Sequence, residues 1–124
     1  MTSTKLSEKR LKELGELAAE WGKLLAREAF PRKPGLDVTL ADMEEIAAVA
    51  TQAIVREAVG TMAEEQAQTL DPQQPCPTCG KLCELRRKSR DVAVRGGTAE
   101  LHEPVAHCST CRRDFFPSAP RIAD

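Results

Sequence analysis

Between residues 7 and 29, Leu11, Leu14, Ala18, Trp21 and Leu25 recur at alternating spacings of three and four, with Leu17 and Leu24 beside them. This period predicts an amphipathic helix with a stripe of coiled-coil type. Ser7 supplies an N-cap and Glu8 an acidic first turn. Phe30-Pro31 ends the pattern and Pro34-Gly35 makes a turn. A second, longer helix is predicted over residues 40–70, with Met43, Ile46, Ala47, Ala50, Ile54, Ala58 and Met62 as its stripe. Thr39 can cap it, with Asp42 three positions on. Gly60 weakens it by roughly 1 kcal/mol relative to alanine. Asp71-Pro72 stops it, and residues 72–75 read as a linker.

After Pro75 the period changes from helical to two. Leu82–Lys88 reads as a short strand, and Asp91-Val92-Ala93-Val94-Arg95 alternates as a half-buried strand does. Gly96-Gly97 suits a hairpin turn. Thr98–His102 returns, and the chain reaches Val105.

Cysteine spacing decides what this segment folds around. Cys76-Pro77-Thr78-Cys79 and Cys108-Ser109-Thr110-Cys111 are two Cys-x-x-Cys pairs. Each pair offers two thiolates to one side of a tetrahedral ion, and two pairs close the site. One structural Zn²⁺ is therefore expected on Cys76, Cys79, Cys108 and Cys111. Phe115-Phe116-Pro117 closes the unit, with one phenylalanine packed beneath the metal. Cys83 is left over, as a small strand residue, an alternative ligand or a redox-sensitive thiol. His107, beside Cys108, is a possible substitute ligand, and His102 reads as a strand residue. The predicted fold is a small α+β protein: an N-terminal antiparallel helical hairpin (residues 1–71), a linker (72–75), a C-terminal zinc ribbon with a short antiparallel β-sheet (76–117) and a tail (118–124).

The chain has 124 residues, few aromatic residues (Trp21, Phe30, Phe115, Phe116) and many alanines, so a large single core is not expected. Two helices alone bury too little to be stable. The hairpin is thus expected to need a partner, which is a second copy in a homodimer, the ribbon or a partner protein. No run approaches the ~20 apolar residues that span a membrane. The polar start, Met1 to Arg10, does not read as a signal peptide. Unpaired cysteines in ligand spacing suit a reducing, cytoplasmic compartment.

Net charge is −1, unevenly spread. Residues 1–74 carry nine Lys/Arg and thirteen Asp/Glu, or −4; residues 75–124 carry nine and six, or +3. Four thiolates around Zn²⁺ would bring the second part to about +1. Arg86, Arg87, Lys88 and Arg90 lie on the first hairpin arm, Arg95 near its tip and Arg112 after the second Cys pair. These can contact phosphates of duplex DNA, or they can be a solvated strand edge that discourages pairing. No aromatic residues interleave them, which disfavours a single-strand binder.

Three enzyme motifs are approached and missed. His102-Glu103-Pro104-Val105-Ala106-His107 is one residue longer than the metalloprotease H-E-x-x-H, and Pro104 forbids its helix. Pro75-Cys76-Pro77-Thr78-Cys79 matches half a deaminase signature, but residues 1–74 contain no histidine to begin it. No βαβ pattern surrounds either Cys-x-x-Cys, as a thioredoxin-like pair requires. A closed four-thiolate site also leaves no position for a catalytic water. The expectation is a protein that is not an enzyme.

The run Pro75-Cys76-Pro77-Thr78-Cys79-Gly80, then Arg90-Asp91-Val92, Gly97, His107-Cys108-Ser109-Thr110-Cys111 and Phe115-Phe116-Pro117 resembles the N-terminal region of bacterial insertion-sequence transposases of the DDE type. The resemblance covers residues 75–117 well and the helices loosely. It implies Cys76, Cys79, Cys108 and Cys111 as zinc ligands and a DNA-binding role. Val105 and Ala106 replace the family's aromatic positions, and the sequence reaches Asp124 where the nuclease domain is expected, so no catalytic carboxylates are implied.

Overall fold

The computed structural model describes residues 6–117; the expected tail, 118–124, lies outside them. Two helices precede a four-stranded antiparallel sheet. Helix α1 spans Glu8–Ala29 and α2 spans Leu40–Ala67. The strands are β1 (Gln73–Pro75), β2 (Leu82–Val94), β3 (Gly97–Cys108) and β4 (Arg113–Phe115), in the order β1-β2-β3-β4. No described helix is long and apolar enough to cross a membrane.

Both helix starts follow from their caps. The Arg10 N–H donates to Ser7 Oγ at 3.1 Å. Thr39 and Asp42 form a reciprocal box: the Asp42 N–H donates to Thr39 Oγ1 at 3.1 Å and the Thr39 N–H to Asp42 Oδ2 at 2.9 Å. Helix α2 stops short of the expected residue 70. The Thr69 N–H bonds the Gln66 carbonyl and the Leu70 N–H that of Ala67. This i→i+3 tightening ends the helix before Pro72, which could not donate to continue it.

The chain forms two compact units, residues 1–50 and 51–124. In the first, α1 buries no residue. Its Gly22, Leu25 and Ala26 share an apolar groove of about 270 Å³ with Met43 and Ile46 of α2.

In the second, the half-buried stripe of α2 is Val55, Val59, Ala63 and Ala67. It is offset from the expected Ile54, Ala58 and Met62, which are exposed. The i, i+4 series meets the hairpin: Val55 lies against Gly96, and Gly60 comes close to the Glu100 carbonyl.

The sheet is longer than its sequence pattern suggests. Leu82–Lys88 and Asp91–Arg95, expected as separate strands, form one strand, β2. It pairs with β3 without interruption from Leu85↔Ala106 to Val94↔Gly97. The turn is therefore Arg95-Gly96, one residue earlier than Gly96-Gly97, with Gly96 at φ +90°, which favours glycine. Pro104 does not break β3, because β4 pairs only with Ala106–Cys108. At Pro104 the strand is flanked by β2 alone. Residues 73–75, expected in a linker, form β1, which pairs with Leu82–Glu84.

Burial along β3 shifts phase. The buried positions of the distal half and those near the cysteines lie on opposite faces: Ala99 and Leu101 are buried, then Pro104, Ala106 and Cys108. Hence strict alternation fails to describe this strand.

Candidate metal centre

The two Cys-x-x-Cys turns close alike. The Gly80 N–H donates to the Cys76 carbonyl at 2.8 Å, and the Arg112 N–H donates to the Cys108 carbonyl at 2.7 Å. Each turn then leaves through a left-handed residue, Gly80 at φ +79° and Arg112 at φ +58°. β1 and β2 carry the first turn, and β3 and β4 the second.

This geometry brings Cys76, Cys79, Cys108 and Cys111 together, with all four sulfurs within 4.8 Å of one another. Cys76 and Cys111 Sγ are 3.8 Å apart, and Cys79 and Cys108 Sγ 3.5 Å. Both separations are far from a disulfide bond of about 2.05 Å. They match the edge of a tetrahedron of sulfurs, about 3.8 Å for an ion held at about 2.3 Å from each. The donor set fits one tetrahedral metal ion.

Backbone amides prepare the thiolates. The Thr78 N–H points at Cys76 Sγ and the Cys111 N–H at Cys108 Sγ, each at 3.4 Å. The Cys111 amide is the main reason the Cys108 thiol is lowered to about 6. The amides of Cys79 and Thr78 lower that of Cys76. Cys111 goes the other way, to about 12, first through its hydrogen bond with Cys79 and then through burial. The amides thus favour the first cysteine of each turn as a thiolate, and binding a cation would release the protons that the four coupled thiols still share.

Two cationic side chains bridge the turns. Lys81 Nζ donates to Ser109 Oγ at 2.8 Å, and the Arg113 guanidinium donates to Thr78 Oγ1 at 2.7 Å. Lys81 and Arg113 each stand two residues after the second cysteine of their turn. Their charges oppose the net −2 of four thiolates around a divalent ion. The sequence reading did not single them out, although this matched position was visible.

Beneath the turns, Cys76, Cys83, Ala106 and Cys108 form the buried cluster, with Leu85 and Phe115 packed on it. Phe115 is therefore the phenylalanine at the metal end, while Phe116 is exposed. Cys83 lies outside the four-sulfur set. Its thiol donates to the Lys81 carbonyl at 3.4 Å, and burial raises its pKa. His107 pairs instead with Asp114 across β3 and β4, Nδ1 to Oδ1 at 2.8 Å.

The predicted basic residues are all exposed but do not share one face. Arg86, Lys88 and Arg90 alternate onto one face of β2. Arg90 pairs with Glu103. Arg87 points the other way and pairs with Glu64 of α2 at 3.4 Å. Arg95 is in the hairpin turn, and Arg112 follows the second cysteine turn.

Arg112 is the one described non-glycine residue with positive φ. Left-handed backbone costs a residue with a Cβ roughly 1–2 kcal/mol. Arg112→Gly is therefore expected to be neutral or to stabilise the metal-loaded protein by up to about 1 kcal/mol, and Gly80→Ala to destabilise it by about 1 kcal/mol. Urea denaturation midpoints of the two variants check the pair; equal shifts of the same sign would contradict it.

No protein-family model matches the chain, and comparison with curated proteins and with solved structures returns no match.

Proposed function

We propose that the chain is a non-catalytic, cytoplasmic zinc-ribbon module that binds duplex DNA, of the kind found at the N-terminus of insertion-sequence transposases. Zinc is the assignment that suits a closed set of four thiolates; iron takes the same geometry, and elemental analysis separates the two. The closed site gives the metal a structural role and leaves it no open position for chemistry.

The observation that carries the DNA reading is the row Arg86, Lys88 and Arg90 on one exposed face of β2. Glu103 is the acidic residue opposite this row in the β2–β3 register. Phosphate contacts from such a row position a duplex without reading its sequence. The spacing resemblance of residues 75–117 supports the same reading.

Arg86 and Lys88, with Arg95 or Arg112, would make about three phosphate contacts. Log K is then expected to fall against log salt with a slope near −2.7, from roughly −0.9 per contact. Arg86→Ala and Lys88→Ala should each flatten the slope by about one unit on every duplex tested. Arg87→Ala should leave it unchanged, because Arg87 faces Glu64. A gel-shift titration at two salt concentrations, with metal bound, makes the measurement. No binding at low salt rejects the DNA reading and leaves the ribbon as a protein-interaction adaptor.

A further inference from the structure

Helix α1 has two adjoining apolar sides, and only one meets α2. Gly22, Leu25 and Ala26 line the groove shared with Met43 and Ile46. Leu14, Leu17, Trp21 and Leu24 follow one another at spacings of three, four and three on the neighbouring side. Leu17, Trp21 and Leu24 are 48, 47 and 56% exposed. Alternation of three and four is the seam of a helix that inserts knobs into a facing helix.

We propose that this side of α1 pairs with α1 of a second copy of the chain, in antiparallel alignment. Charge and shape both select that occupant. With the two-fold axis at Ala19, Leu14 faces the partner's Leu24 and Leu17 faces the partner's Trp21. At the end of the seam, Arg10 faces the partner's Glu28. Along its flank, Glu13 lies beside the partner's Arg27. The two-fold axis repeats every one of these pairings, so attractive charge pairs close both ends. Parallel alignment would instead set Arg10 against the partner's Arg10 and Glu28 against the partner's Glu28.

The remaining charges permit the pairing. Helix α1 carries five Lys/Arg and five Asp/Glu, so net charge does not oppose it. Arg10 holds Glu13 of its own helix at 3.3 Å, and its guanidinium keeps donors for a second carboxylate. Glu20 lies nearest the axis, and Lys23 on the same helix neutralises it at 3.0 Å.

Sedimentation equilibrium of the metal-loaded full chain tests the proposal. A dimer is expected for the natural sequence. Arg10→Glu and Glu28→Arg should each weaken it by about threefold to tenfold, since each turns attractive pairs into repulsive ones. The double variant Arg10→Glu/Glu28→Arg should recover the original affinity. Leu17→Asp should weaken the dimer by more than about a hundredfold, through an unpaired charge in the seam. Its circular dichroism reports whether the helix itself survives. A monomer mass at millimolar protein overturns the proposal. So does a double variant that associates no better than either single one, because only antiparallel pairing joins positions 10 and 28.

Discussion

Chelating the metal, or changing Cys76 or Cys111 to serine, is expected to unfold the cysteine end of the sheet and leave α1 helical. The reason lies in what the buried cluster there contains. Cys76, Cys83, Ala106 and Cys108 are its buried members, so two of the four clustered cysteines are themselves core. Structural zinc contributes roughly 10–16 kcal/mol near neutral pH in small peptides. That matches or exceeds the ~5–15 kcal/mol of a whole domain. Without the ion, four sulfurs within 4.8 Å must hold protons or repel one another. Amide exchange should show protection lost in β1, β4 and the adjoining ends of β2 and β3. Trp21, the sole tryptophan, lies in α1 and belongs to the other compact unit. Its emission should change little. Elemental analysis should find one metal ion per chain, and Cys83→Ser should preserve that ratio, since Cys83 lies outside the ligand set. Purified, reduced protein with no bound metal would end this reading.

The four-cysteine cluster was legible in the sequence because its signal is local: two Cys-x-x-Cys turns need only a hairpin to bring them together. The helix starts were legible for the same reason, since Ser7 and the Thr39–Asp42 box act within one turn. What depended on tertiary contact was misread. Residues 73–75 looked like a linker because Pro72 and Pro75 bracket two glutamines, yet β2 supplies an edge for them. Asp91 and the charged run before it suggested a break between two strands. The ladder to β3 runs through it because those side chains are exposed. In α2 the apolar residues Ile54 and Met62 set the apparent stripe. The face that meets the hairpin is instead Val55, Val59, Ala63 and Ala67, and Gly60 permits close approach to the Glu100 carbonyl. Of the basic residues offered as phosphate contacts, Arg87 lies on the other face of β2 and meets Glu64 of α2, a partner only the tertiary fold reveals.

Leu101→Ala is expected to destabilise the metal-loaded protein by about 2–4 kcal/mol. Leu101 is 6% exposed, and the other buried apolar residues described are alanines, cysteines and Pro104. Among the described residues it is therefore the one buried leucine, isoleucine or valine, on the face it shares with Ala99. Its neighbourhood cannot easily collapse into the space. β3 is held in register on β2, and Gly60 of α2 already lies close enough that an added Cβ would stand 3.4 Å from the Glu100 carbonyl oxygen. Leu82→Ala is the control: that leucine is 60% exposed, and its loss should matter by less than about 0.5 kcal/mol. Urea denaturation with metal in excess measures both. Leu101→Ala should keep one metal per chain, because residue 101 is seven positions from the nearest ligand, Cys108. A loss below about 1 kcal/mol would mean that the distal hairpin contributes little burial energy. Loss of the metal in the same variant would mean that its two ends unfold as one. The expected outcome separates them: apolar burial holds the half of the hairpin beside α2, and the metal holds the half that carries the cysteines.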